Sequence, residues 1–224
     1  MTNGEQGSRK DSSVLNIQHS LLDRLNISQY CDQMELVKKR IEVVLYYERR
    51  QGGALYVAST IESVYLQFQK ILELVAMASL IANKDVYSQE YANFARHWNA
   101  RKMLESLERL NPEFYPKPLI EENGGSELVD KEDGFLTRDD FVTLYNACGA
   151  IMHTDNPYGE QTDYDDCLSQ ISRWRELITG LLNNHKIHLL NDPNMYVIHI
   201  QEARDNKVHG YTFARMPPSE EQST

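Results

Sequence analysis

What this chain has little of narrows it first. It holds three cysteines, Cys31, Cys148 and Cys167, widely separated, odd in number and without a C-x-x-C pair. That is neither a disulfide framework nor a zinc-ligand spacing, and reduced thiols in a cytoplasmic protein are the expectation. The opening run M-T-N-G-E-Q-G-S-R-K-D-S-S has no apolar h-region, so no secretory signal is expected. No G-x-S-x-G, P-loop or dinucleotide fingerprint occurs, and the paired E-x-x-H motifs of a di-iron helical protein are missing. No cofactor and no metal are therefore expected. Positive charge is scarce: 23 Lys and Arg stand against 33 Asp and Glu, a net −10. A general binder of nucleic acid or anionic membranes needs a basic footprint that this balance does not supply. A membrane span needs ~20 predominantly apolar residues, and the most apolar stretch is broken by Gln67, Gln69, Lys70 and Glu73.

What is present suits a globular protein. Hydrophobic residues make up 41% of the 224 and charged residues 25%, enough for one sizeable core or a core with a small appendage. The chain is organised around residues 57–82. Val57, Ile61, Val64, Phe68, Ile71, Val75, Ala78 and Ala82 step alternately by four and three, which holds one apolar stripe on one side of a helix. Ala58, Tyr65, Leu72 and Ala76 widen it. From Ile71 to Ala82 only Glu73 is charged, so this half should be covered on nearly every side.

The expected organisation is mainly α, a helical bundle with a small C-terminal antiparallel β-meander. Residues 1–13 read as a flexible N-terminus and 14–183 as the bundle. Within it, a short helix over 14–25 precedes a second from Ser28, a plausible N-cap, to about Arg50, stopped by Gly52-Gly53. A helical stretch over about 86–110 ends at Asn111-Pro112. Residues 119–136 carry six carboxylates against Lys131 and three glycines, and read as a solvated acidic loop or short hairpin. Thr137 should cap the next helix, which runs to His153 before Asn156-Pro157, and a last helix covers about 164–183. The period then changes: K-I-H-L-L, M-Y-V-I-H-I-Q and K-V-H-G-Y-T-F-A-R, separated by N-D-P-N and R-D-N-K, read as three strands over 184–215. His199 and His209 should be cross-strand neighbours. The tail 216–224 is polar and reads as loose.

The most unusual local stretch is T-L-Y-N-A-C-G-A-I-M-H-T-D-N-P-Y-G, 143–159. Asn146, Gly149 and His153 share a helix face, and a glycine inside a helix commonly marks close approach of another element. His153 then stands near a helix end in a polar notch with Asp155 and Asn156, where a histidine can act as general acid or base. The plainer reading is a histidine whose charge suits its own helix C-terminus. The most basic stretch carries Arg96, His97, Arg101, Lys102 and Arg109 with Tyr91 and Trp98 interleaved, as a groove for single-stranded nucleic acid would have them; Glu105 and Glu108 make a solvated face the plainer account. D-Y-D-D, 163–166, lacks the glycine and distal glutamate of a calcium loop and reads as an acidic helix start.

A helical protein with a histidine at the end of a late helix, followed by N-P-[aromatic], resembles the HEPN superfamily over about residues 29–183. The resemblance implies an all-α domain of a kind found in ribonuclease toxins, defence systems and partner-binding modules. In the active members an arginine, usually followed by a polar residue, precedes the histidine by a short gap. His153 matches the histidine and Asn146 the polar position, while Tyr145 stands where the arginine belongs. Two expectations result. One is a non-catalytic module that binds a protein partner or itself, with the meander docking the partner. The other is a metal-independent endoribonuclease acting as a toxin or defence effector. There His153 does proton transfer, Asn146, Tyr145 and Asn156 complete the site, and Arg96, Arg101 or Lys102 holds the RNA phosphate.

Overall fold

The computed structural model describes residues 5–49, 53–82, 100–123, 127–154, 158–159, 161–190 and 192–214. Among them are five helices and five strands: α1 (Glu5–Glu48), α2 (Val57–Ala82), α3 (Ala100–Leu110), β1 (Lys117–Glu122), β2 (Glu127–Asp130), α4 (Arg138–Ile151), α5 (Tyr164–Leu182), β3 (Asn184–His188), β4 (Met195–His199) and β5 (His209–Phe213). The protein is mainly α with one antiparallel sheet, as its periodicities require.

Helix α2 has the bounds its stripe predicts. Ile61, Val64, Phe68, Ile71, Val75, Ala78 and Ala82 are buried, as are Tyr65, Leu72 and Ala76 of the second stripe. By length and composition α2 is apolar enough to cross a bilayer, because its most apolar window tolerates few charges; 56% of that window is buried inside the protein. Helix α1 lies along α2 and contributes Tyr30, Met34, Val37 and Val44 at helical spacing. The two helices expected over 14–25 and from Ser28 to about Arg50 are one: α1 begins at Glu5 and is continuous through Ser28, which caps nothing. A serine inside a helix costs only a few tenths of a kcal/mol relative to alanine, too little to divide it.

Thr137 caps α4 as expected, and the acidic start of α5 includes an N-cap at Asp163. Thr137 forms a reciprocal capping box with Asp140 at the start of α4, and the Asp163 side chain accepts from the Asp166 N–H at the start of α5. Phe141, Leu144, Cys148 and Ile151 then face the core from α4, and Ile171, Trp174, Ile178, Leu181 and Leu182 from α5. Arg175 of α5 binds Glu48 at the end of α1, Nε to Oε2 at 2.6 Å, and the Tyr65 hydroxyl donates to the Cys167 carbonyl at 3.1 Å. Gly180 is where α5 needs a glycine. An added Cβ would lie 2.0 Å from the Gly134 carbonyl oxygen, because the segment leading into α4 crosses α5 there.

The sheet is larger than the three strands read from the C-terminal segment. Its order is β2-β1-β3-β4-β5, all antiparallel. The acidic segment supplies β2 and most of β1 as a hairpin, with Asn123 at positive φ beside its turn, and Lys117 and Pro118 pair with Lys186 and His185 of β3. In β1, Pro118 and Leu119 are buried between exposed Lys117 and the exposed run Ile120, Glu121 and Glu122. Carboxylates on an edge strand hide its strand character from a composition reading, and they are one of the ways that edges are kept from pairing. One sheet face, with His185, Ile187, Tyr196 and Ile198, joins the core. Gly210 of β5 packs close to α1, where an added Cβ would stand 2.9 Å from Ile27 Cγ2. The turn before β5 is also tied to α1: the Val208 N–H donates to Glu35 Oε1 at 2.7 Å.

Candidate functional site

Helix α4 ends at Ile151 with Met152 as its C-cap, two residues earlier than His153. The His153 N–H still donates to the Ala150 carbonyl at 3.2 Å, and the side chain is exposed. It borders an open cleft of about 770 Å³. One wall is the first turns of α2, with Ser59, Glu62, Ser63 and Leu66; the other is Ile151 to Thr154 with Gln161 and Tyr164. The α2 residues recur at helical spacing, so a single polar face on an otherwise apolar helix makes that wall. Across the cleft the Tyr164 hydroxyl donates to Glu62 Oε1 at 3.1 Å. The Ser59 and Ser63 hydroxyls donate to the carbonyls of Tyr56 and Ser59, at 3.1 and 2.7 Å.

Only part of the expected constellation comes together. His153 reaches the cleft. Asn146 is exposed on α4 and is not among the residues lining it. Tyr145 is partly buried; burial, with Glu73 of α2 nearby, holds its hydroxyl above the ordinary phenol range. Arg101 and Lys102 are exposed at the start of α3 and do not line the cleft. Arg96 and Asn156 lie outside the described residues, as do Asp155, Tyr91, His97 and Trp98. Gly149 does not mark a close approach: an added Cβ would meet no heavy atom within 4 Å. Among the described lining residues there is no arginine or lysine, and Glu62 carries the fixed charge. Glu62, Ser59 and Tyr164 were missed by sequence reasoning. The one available signal was the polar row at 59, 62 and 63 on a helix otherwise read for its apolar stripe.

The C-terminal strands bring their histidines together as expected, with His199 opposite His209. Tyr211, two residues along β5 on the same face, has its ring 5.4 Å from that of His199 and 6.4 Å from that of His209. Arg204 donates to His209 Nδ1 at 2.9 Å, which leaves the ring proton on Nε2, facing Asp205 at 3.0 Å. The Tyr211 hydroxyl donates to Glu202 at 2.7 Å. No group of three or more residues able to hold a metal ion is found among the described residues. The sheet ends in two unlike edges. β2 is four residues long with an acid at each end, whereas β5 carries no charged residue and exposes Tyr211 and Phe213.

Compared with models of protein families, with curated proteins and with solved structures, the chain finds no match.

Proposed function

We propose that this chain is a non-catalytic interaction module of HEPN-like type, a helical-bundle scaffold working in the cytoplasm that docks an extended segment of a protein partner along β5. The observation that carries the reading is the open β5 edge. Edge strands usually carry charge, proline or a cover that blocks pairing; β5, H-G-Y-T-F, has no charge or proline and, among the described residues, pairs on one side only, with β4. Added strands gain affinity from main-chain hydrogen bonds and specificity from alternate side chains. Here His209, Tyr211 and Phe213 alternate onto one face and would supply that specificity. The three free thiols suit a reducing compartment.

The test is site-specific photo-crosslinking in cells, with the cross-linker at Phe213 and, as control, at exposed Leu168 of α5. A discrete adduct from position 213 alone, lost when Tyr211→Lys is added, supports the reading. An adduct of twice the chain mass makes the partner a second copy. No adduct, or the same adducts from both positions, overturns it.

The ribonuclease reading has one observation in its favour: His153 is exposed in the cleft rather than buried. The absence of a described lining arginine weighs against it, since phosphate needs a cation. A mixed RNA pool incubated with chelator and either the parent or His153→Ala decides the matter. Cleavage that depends on His153 would replace the non-catalytic reading.

A further inference from the structure

We infer that the cleft between α2 and the α4–α5 junction binds a cationic group, an alkyl ammonium or guanidinium, with Glu62 as its counterion. Three independent features converge. Glu62 is partly buried and has no ion-pair partner among the described residues; its one hydrogen bond comes from the Tyr164 hydroxyl, which leaves Oε2 to accept another. Ser59 and Ser63 have spent their hydroxyl protons on helix carbonyls, so what they present to the cleft are acceptor lone pairs. The C-terminal end of α4, with its partial negative charge, borders the same space and has no basic residue in its last turn.

On the α2 wall and at the end of α4 acceptors thus predominate, with exposed His153 and the Gln161 amide beside them, and a donor-rich cation satisfies those acceptors while an anion does not. Leu66 and Met152, 39% and 41% exposed, offer apolar surface for the ligand's methylene stem. A volume of about 770 Å³ lies in the range of small-molecule sites and also admits a basic side chain from a peptide. The site is separate from the β5 edge, so either proposal can fail without the other.

The experiment uses the full chain labelled with ¹⁵N and two probes. Agmatine joins a guanidinium to an ammonium through a butyl stem, and N-acetyl-Gly-Arg-Gly-amide presents the same head on a peptide. The expected result is saturable binding with shift changes centred on Ser59 to Leu66 and Ile151 to Thr154. Glu62→Gln keeps an acceptor for Tyr164 and removes the charge, and should weaken binding by about tenfold or more. Ser63→Ala, which removes an acceptor without touching Glu62, should weaken it by a smaller factor. Agmatine alone saturating assigns the site to free amines; the peptide binding as well or better assigns it to a basic side chain of a partner. No saturation by either probe, unchanged affinity in Glu62→Gln, or shifts confined to another surface overturns the inference. So does preferential binding of oligouridylate at these residues.

Discussion

Tyr30 of α1 and His185 of β3, 155 residues apart in the chain, form a buried hydrogen bond of 2.8 Å between the hydroxyl and Nε2. The direction follows from the other ring nitrogen. Nδ1 faces the Leu182 carbonyl at 2.9 Å, which can only accept, so Nδ1 carries the proton and Nε2 accepts from tyrosine. Both residues are wholly buried, and the pair joins the long N-terminal helix to the sheet.

Acid should therefore weaken the fold through this pair. Burial lowers the His185 pKa from 6.5 to about 4. Between those values the unfolded chain takes up a proton that the folded chain refuses, so stability falls as pH falls from about 6.5 to about 4 and this contribution then levels off. At 1.36 kcal/mol per unit the total is roughly 3 kcal/mol. Urea unfolding at several pH values, in the parent and in His185→Asn, measures it. An identical pH slope in the two would remove His185 as the cause.

Tyr30→Phe tests the same contact without changing charge. It leaves Nε2 of His185 buried without its donor, and should cost about 1–3 kcal/mol of unfolding free energy. A change below a few tenths of a kcal/mol would mean that the hydroxyl is dispensable.

Two glycines on neighbouring helices should respond with opposite signs. At Gly180 an added Cβ meets the Gly134 carbonyl at 2.0 Å, a backbone atom, and Gly180→Ala should destabilise by about 1–3 kcal/mol as the crossing segment is displaced. At Gly149 the space is open, and Gly149→Ala should stabilise by up to about 1 kcal/mol through helix propensity. Thermal melts of the two variants check both signs at once.

The thiols should separate by reactivity. Cys148 is fully buried, and burial raises its thiol far above the free value. Burial raises the Cys31 thiol to about 11, with Asp32 and Glu35 adding to it. Since the thiolate is the reactive form, Ellman's reagent at neutral pH should leave Cys148 untouched in the native protein, and should react with Cys31 far more slowly than in denaturant. Fast modification of Cys148 under native conditions would contradict this packing.

The cap of α4 is a local device. Thr137→Ala removes the acceptor for the Asp140 N–H and should cost about 1 kcal/mol, read by urea denaturation.

Much of the scaffold was legible because its signals are local. The stripe of α2, the cap at Thr137, the acidic start of α5 at 163–166 and the three C-terminal strands each depend on residues within a few positions of one another. The pairing of His199 with His209 spans a longer connection, residues 200–208, but still joins consecutive strands. The sequence by itself determined these elements, since helical and strand periods and capping are near-neighbour properties of the backbone. It did not reveal that the acidic segment joins the sheet, because an edge strand is defined by the strand it meets and not by its own composition. Nor did it distinguish Gly149, open on one side, from Gly180, pressed against a backbone carbonyl. The cleft was half legible: His153 stood out, but its counterpart Glu62 comes from α2 and is tied to Tyr164 from 102 residues away. Which charges share a space, and whether that space suits a cation or an anion, was decided by the packing of α2 against α4 and α5, because electrostatic and hydrogen-bond partners are chosen by distance in three dimensions.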